Sequence, residues 1–126
     1  MSTKVLIVDD EKDFLDIMAE RMGARGMDVS TATSAEVALE MVRTEPYDAV
    51  IMDFMMPEMD GFTALRLFKE ARPEVPIILL TANVPEEKCI EAIKLGAMDI
   101  IEKPADLRLL TQKIEEAKNL KLKRPR

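Results

Sequence analysis

Three short runs, Val5-Leu6-Ile7-Val8, Ala49-Val50-Ile51-Met52 and Ile77-Ile78-Leu79-Leu80, are apolar throughout, and each is closed by a polar residue. A strand with one wet face would alternate, so unbroken runs of this length predict strands buried on both faces of a parallel sheet. Two weaker strands join them. Asp28 to Ala32 alternates polar and apolar like an edge strand, and Met98 to Glu102 centres on Ile100-Ile101. The intervening segments carry apolar residues at helical spacing: Phe14, Ile17, Met18 and Met22; Val37, Leu39, Met41 and Val42; Leu65, Leu67 and Phe68; Ile90, Ile93 and Ala97; Leu107, Leu110 and Ile114. The chain therefore reads as five repeats of strand then helix.

Boundary residues support this reading. Thr33-x-x-Glu36 has the form of a capping box, Gly26 and Gly96 follow the first and fourth helices, and Pro85 suits a first helical turn. Strands alternating with helices across short loops imply right-handed crossovers and a doubly wound α/β sheet. Five parallel strands favour the flavodoxin-like order 2-1-3-4-5 with five helices.

Composition narrows the chemistry more than the fold. At 126 residues, 48% apolar and 33% charged, the chain has room for one domain with a continuous core. The expected domain covers residues 3–120, and residues 121–126 read as a short basic tail. There is no histidine, which excludes a Ser-His-Asp triad, a Cys-His dyad and any imidazole ligand. Cys89 is the single cysteine, which rules out an internal disulfide or a CxxC site, and reads as a half-buried small residue on the fourth helix. The net charge of −6 is uneven: residues 1–117 hold 13 Lys and Arg against 24 Asp and Glu, a balance of −11, and the cations Lys118, Lys121, Lys123, Arg124 and Arg126 close the chain. An acidic body with little aromatic surface argues against binding DNA or RNA directly. The tail reads as a solvated helix end. No targeting or membrane-spanning segment is apparent, and a cytoplasmic location is expected.

In a doubly wound sheet the site lies beyond the carboxyl ends of the strands, where the winding direction reverses between strands 1 and 3. Strand 1 ends in Asp9-Asp10-Glu11, strand 3 in Asp53, strand 4 in Thr81-Ala82 and strand 5 in Lys103-Pro104. Taken singly, Asp9 or Asp10 reads as a helix cap, Thr81 as a strand-end hydroxyl and Lys103 as a surface amine. Their convergence on one crevice is harder to assign to structure alone. Neighbouring strands lie about 4.8 Å apart, so Asp10 and Asp53 are expected to face each other. Two such charges about 5 Å apart repel by roughly 3 kcal/mol at an effective dielectric near 20. A bound cation relieves this, and a few oxygen ligands suit Mg²⁺ better than Ca²⁺. Met55, Met56 and Met59 read as a loop packed by its own side chains.

These residues together resemble the receiver domain of two-component response regulators. The resemblance spans nearly the whole chain and rests on Asp9-Asp10, on Asp53 with Met56-Pro57-x-Met59-Asp60-Gly61, on Thr81-Ala82, on Gly96-Ala97 and on Lys103-Pro104. It implies that Asp53 accepts a phosphoryl group from a phosphohistidine of a sensor histidine kinase or histidine phosphotransfer protein. It also implies that Asp9, Asp10, Asp53 and the Met55 carbonyl hold Mg²⁺, that Thr81 and Lys103 grip the phosphoryl oxygens, and that a downstream protein reads the result. One position departs from it: the family usually carries Tyr or Phe directly after the Asp of strand 5, and this chain has Ile100.

Two other classes fit less well. An FMN-binding electron carrier needs a hydroxyl- and glycine-rich phosphate loop after strand 1, where Asp9-Asp10-Glu11 would repel the phosphate. A phosphohydrolase of the haloacid dehalogenase type needs a second acid two residues beyond its nucleophile, and residue 55 is Met. The chain therefore reads as a single-domain signalling module rather than an enzyme with turnover.

Overall fold

A computed structural model describes residues 3–82, 85–104 and 106–123. The apolar runs form β1 (Lys4–Val8), β3 (Ala49–Asp53) and β4 (Ile77–Thr81), with β2 (Asp28–Ala32) and β5 (Asp99–Glu102) outside them. All neighbours pair in parallel, in the expected order β2-β1-β3-β4-β5. The helices are α1 (Lys12–Ala24), α2 (Ala35–Thr44), α3 (Gly61–Ala71), α4 (Glu86–Lys94) and α5 (Leu107–Lys123). A short antiparallel hairpin, Met55–Met56 against Met59–Asp60, joins β3 to α3.

The unbroken runs give the sheet two apolar faces, because successive side chains point to opposite sides. Val5, Ile7, Ala49, Ile51, Ile78 and Leu80 meet Leu15, Met18 and Met22 of α1 and Leu110, Ile114 and Ala117 of α5. Leu6, Val8, Val50, Met52, Ile77 and Leu79 meet the helices of the other layer, chiefly Leu39 and Val42 of α2 and Leu65 and Phe68 of α3. β2 is an edge strand and is only partly covered, as its alternating sequence predicts.

Several boundaries differ from expectation by one residue. The cap of α2 is Ser34, whose hydroxyl accepts from the Val37 N–H at 3.2 Å, so the expected Thr33 capping box is displaced. The helix begins where Ala35 becomes fully buried, and packing chooses between two adjacent hydroxyls. Pro85 stands just before α4 rather than inside its first turn, and its carbonyl accepts from Lys88 and Cys89. Strand β5 starts at Asp99, one residue after the expected Met98. Gly26 and Gly96 do adopt positive φ, 87° and 112°, where a β-carbon is costly.

Ile17, Val37, Ile90 and Ile93 fall in the predicted helical stripes but are exposed, whereas Leu15, Ala38 and Ala92 are buried. Cys89 is half-buried, as expected. Of the predicted basic tail, residues 121–123 continue α5 and residues 124–126 lie outside the described residues. Among the described residues no helix is long and apolar enough to cross a membrane.

Candidate functional site at the carboxyl edge of the sheet

The strand register brings the predicted residues together. Val8 pairs with Met52, and the next residue on each strand is an acid, Asp9 and Asp53. The register thus sets Asp9 level with Asp53, where the sequence reading expected Asp10, because Asp10 is one residue farther out. Asp10 is exposed, whereas Asp9 and Asp53 are buried. Even so, one carboxylate oxygen from each of the three lies within 4.8 Å of the other two.

Each buried acid is held by its own backbone and by a shared cation. Asp9 Oδ1 accepts the Glu11 N–H at 2.9 Å, and Asp53 Oδ1 accepts the Met55 N–H at 2.9 Å. Lys103 Nζ donates to Asp9 Oδ2 at 2.8 Å and to Asp53 Oδ2 at 3.2 Å. The Glu11 carboxylate is 3.9 Å from the same nitrogen, on the solvent side. Lys103 follows β5, is joined to Pro104 by a cis peptide bond, and has its N–H bonded to the Thr81 carbonyl at 2.8 Å. That bond sets the ends of β4 and β5 side by side. Partial burial works against the charge of Lys103, but its hydrogen bonds to Asp9 and Asp53 and their negative charges prevail and hold its pKa above the usual value.

Thr81 is 2% exposed, and its hydroxyl has no hydrogen-bond partner among the described residues. Buried hydroxyls are seldom left unpaired, since losing water without a replacement is costly. An unpartnered donor here, beside a three-carboxylate cluster of the oxygen-only kind that suits a hard divalent cation, fits a site shaped for a bound anion and its counter-ion.

The loop after β3 forms the adjoining wall. Phe54 and Phe62 meet edge to face with centroids 5.0 Å apart, and Gly61 packs directly on Phe54. Met56 is buried and Met59 half-buried, but Met55 is 60% exposed, so this loop is packed by its own side chains only in part. An open cleft of about 470 Å³ runs from Asp10 past Met55 and Met59 to Lys88. Asn83 and Val84, which follow Ala82 in the sequence, lie outside the described residues.

Sequence reading assigned Phe14 to the helix core. In the structure its ring lies beneath Lys103, with Nζ 4.8 Å from the centroid. The available signal was position: an aromatic four residues beyond Asp10, in the first turn of a helix that starts at the strand end.

Comparison with known proteins agrees with this geometry. Residues 5–115 match the family described as response regulator receiver domain. The chain is 36% identical over 113 residues to the transcriptional regulatory protein ZraR of Escherichia coli (strain K12), covering 90% of this chain and 26% of that protein. It is 40% identical over 102 residues to the response regulator SaeR of Staphylococcus epidermidis, covering 81% of this chain and 44% of that protein. The chain thus spans between a quarter and half of the length of these relatives. Among solved structures, a CheY-like receiver domain protein from Methanospirillum hungatei superimposes with a TM-score of 0.91 at 28% identity, covering 98% of each chain. The Francisella response regulator 1452 receiver domain gives 0.86 at 29% identity, covering 94% of this chain and 98% of its own. With its sheet order, its acidic strand ends and the lysine that joins them, the chain belongs to the response regulator receiver domain family of two-component systems.

Proposed function

We propose that this receiver is a phosphoacceptor whose acceptor residue is Asp53, charged by a phosphohistidine on a sensor histidine kinase or histidine phosphotransfer protein. The observation that carries this reading is a buried carboxylate, Asp53, bound by the Lys103 ammonium, with an unpartnered buried hydroxyl, Thr81, at the end of the neighbouring strand. Both are donors suited to phosphoryl oxygens. Asp9, Asp10, Asp53 and the Met55 carbonyl would hold Mg²⁺. When bound, Mg²⁺ offsets the negative charge that would otherwise keep two anions apart.

An Asp53 carboxylate oxygen forms the new P–O bond while the P–N bond to the donor imidazole breaks, and the electron pair stays on that nitrogen. Lys103 keeps its bond to Asp9 and shifts its second contact from Asp53 Oδ2 to a phosphoryl oxygen. Thr81 donates its hydroxyl to another, gaining the partner it lacks. Lys103 already bridges Asp9 and Asp53 before the reaction, which limits the reorganisation its part of the transfer requires. The acyl phosphate hydrolyses in time, and the signal limits itself.

In this reading the module performs no turnover on a separate substrate. It works in the cytoplasm, through phosphorylation-dependent contacts with a downstream protein. The excess of acidic side chains supports a protein target over nucleic acid. Incubation with a small phosphodonor and Mg²⁺ should add one phosphoryl group by intact mass. Equal uptake by Asp53→Asn would overturn the assignment.

A further inference from the structure

The chemistry above gives no role to Phe14, whose ring contacts the site. Phe14 is half-buried in the first turn of α1, at the fringe of the core that α1 and α5 share with the sheet. Its ring faces the Lys103 ammonium at 4.8 Å. The Lys103 side chain is 17% exposed, and its other close contacts are Asp9 at 2.8 Å and Asp53 at 3.2 Å. An aromatic face attracts a cation, most strongly where water is excluded. An aliphatic side chain would fill the same space without a negative face.

Lysine is a poor positioning device by itself, with four rotatable bonds and a strongly hydrated charge. Its two carboxylate partners are not equivalent in the proposed reaction. Phosphorylation occupies Asp53, and exposed Glu11, 3.9 Å away, draws the ammonium toward solvent. The ring is a contact that the reaction leaves unchanged. The geometry points to Phe14 as a positioning residue that holds the Lys103 ammonium at the strand ends, so that it meets the incoming phosphoryl group from a fixed place. This inference rests on the phosphoacceptor reading of Asp53.

The test places mono-, di- and trifluorinated phenylalanine at position 14 alone in the full chain. Fluorine withdraws charge from the ring face and leaves its shape nearly constant. Initial phosphoryl uptake from a small phosphodonor with Mg²⁺ should fall stepwise, to about two- to fivefold below the parent with the trifluorinated ring. The urea midpoint should stay constant along the series, and Phe14→Tyr and Phe14→Trp should keep the parent's rate. The Lys103 Hε resonances should be shifted upfield by the ring in the parent and should lose that shift in Phe14→Leu. A flat rate along the series overturns the role of Phe14. So does a loss in Phe14→Leu without a gradient, which makes the ring a matter of shape, or an unshifted Lys103 in the parent. A parent protein that gains no phosphoryl mass overturns the Asp53 reading instead, and the Lys103 resonances then still decide whether the ring holds the ammonium.

Discussion

Gly61 opens α3 in direct contact with Phe54: a β-carbon at position 61 would run into the Phe54 ring and stand 2.5 Å from the Phe54 carbonyl oxygen. Backbone cannot yield as a flexible side chain does, so Gly61→Ala must push the helix start away from the loop that carries Met55. The expected cost is about 1–3 kcal/mol, read as a lower urea midpoint at unchanged slope. An alanine variant as stable as the parent would show that the contact relaxes freely.

Asp10 is the acid of the cluster that makes no described contact with Lys103, and it is exposed. Asp10→Ala should therefore stabilise the metal-free protein by up to about 1 kcal/mol, a small gain because water screens the repulsion. The same change should nearly abolish Mg²⁺-dependent phosphorylation. Thermal melts in a chelator at low and high salt check the first point, since the gain should shrink as salt rises; a variant less stable than the parent at low salt would argue against crowding.

Lys103→Met should lose signalling output even when phosphorylated, and the contact with Asp9 adds a second consequence. Asp9 is fully buried, and without the ammonium its Oδ2 keeps a charge with no described donor. A loss of about 3–5 kcal/mol is expected when a buried ion pair loses one partner, and Mg²⁺ should recover part of it. Denaturation with and without Mg²⁺ measures both terms, and full signalling by phosphorylated Lys103→Met would remove the lysine from the output step.

Lys4 and Glu45 form a 3.1 Å ion pair at the opposite edge of the sheet. The hydrogen bond from Lys4 is the main cause of a Glu45 pKa below 4.5, and the same bond holds Lys4 above 10.5. A carboxyl depressed on folding contributes stability that is complete above its unfolded pKa and is lost as pH falls through the folded one. For Lys4 the contribution is complete below 10.5 and is lost as pH rises through its folded value. Glu45→Gln should therefore flatten the acid limb of a thermal-midpoint profile below pH 4.5. An identical acid limb in the variant would show that the pair contributes nothing.

Ile100 lies half-buried against the core on the α2 and α3 side. A β-branched side chain has few χ1 choices and no polar tip, so it makes a poor two-position element. With a phosphoryl mimic, hydrogen-exchange changes should concentrate in residues 55–61 and 83–87, after β3 and β4. Changes confined to residues 98–110 would show that β5 and its surroundings switch without an aromatic.

What could be read from the sequence depended on how many sides of a residue were buried. β1, β3 and β4 were legible because burial on both faces demands an unbroken apolar run, and the site followed from their ends. Helix faces were less legible. On α1, Leu15, Met18 and Met22 point inward while Ile17 points out, and hydrophobicity alone does not separate Ile17 from its neighbours. Small residues such as Ala38 and Ala92 carry the contact where helix and sheet approach closely, and an alanine gives little signal in a periodicity. Within the site, residue types were legible but pairings were not: whether Asp9 or Asp10 shares Lys103 with Asp53 is set by a register offset of one residue.

Ninety-four positions separate Lys103 from Asp9, and the bond between them crosses from the end of an edge strand to the second strand at the far side of the sheet. Contacts of such separation form only after the chain between them is ordered, because loop closure must be paid first. Until β5 docks, Asp9 and Asp53 stand together with no ammonium between them. The acids that equip the edge for chemistry thus oppose every partly assembled sheet, and the strand of this sheet that comes last in chain order is the one that reconciles them. A chain stopped short of residue 103 would lack more than a strand: it would carry the charge of the site without the means to hold it.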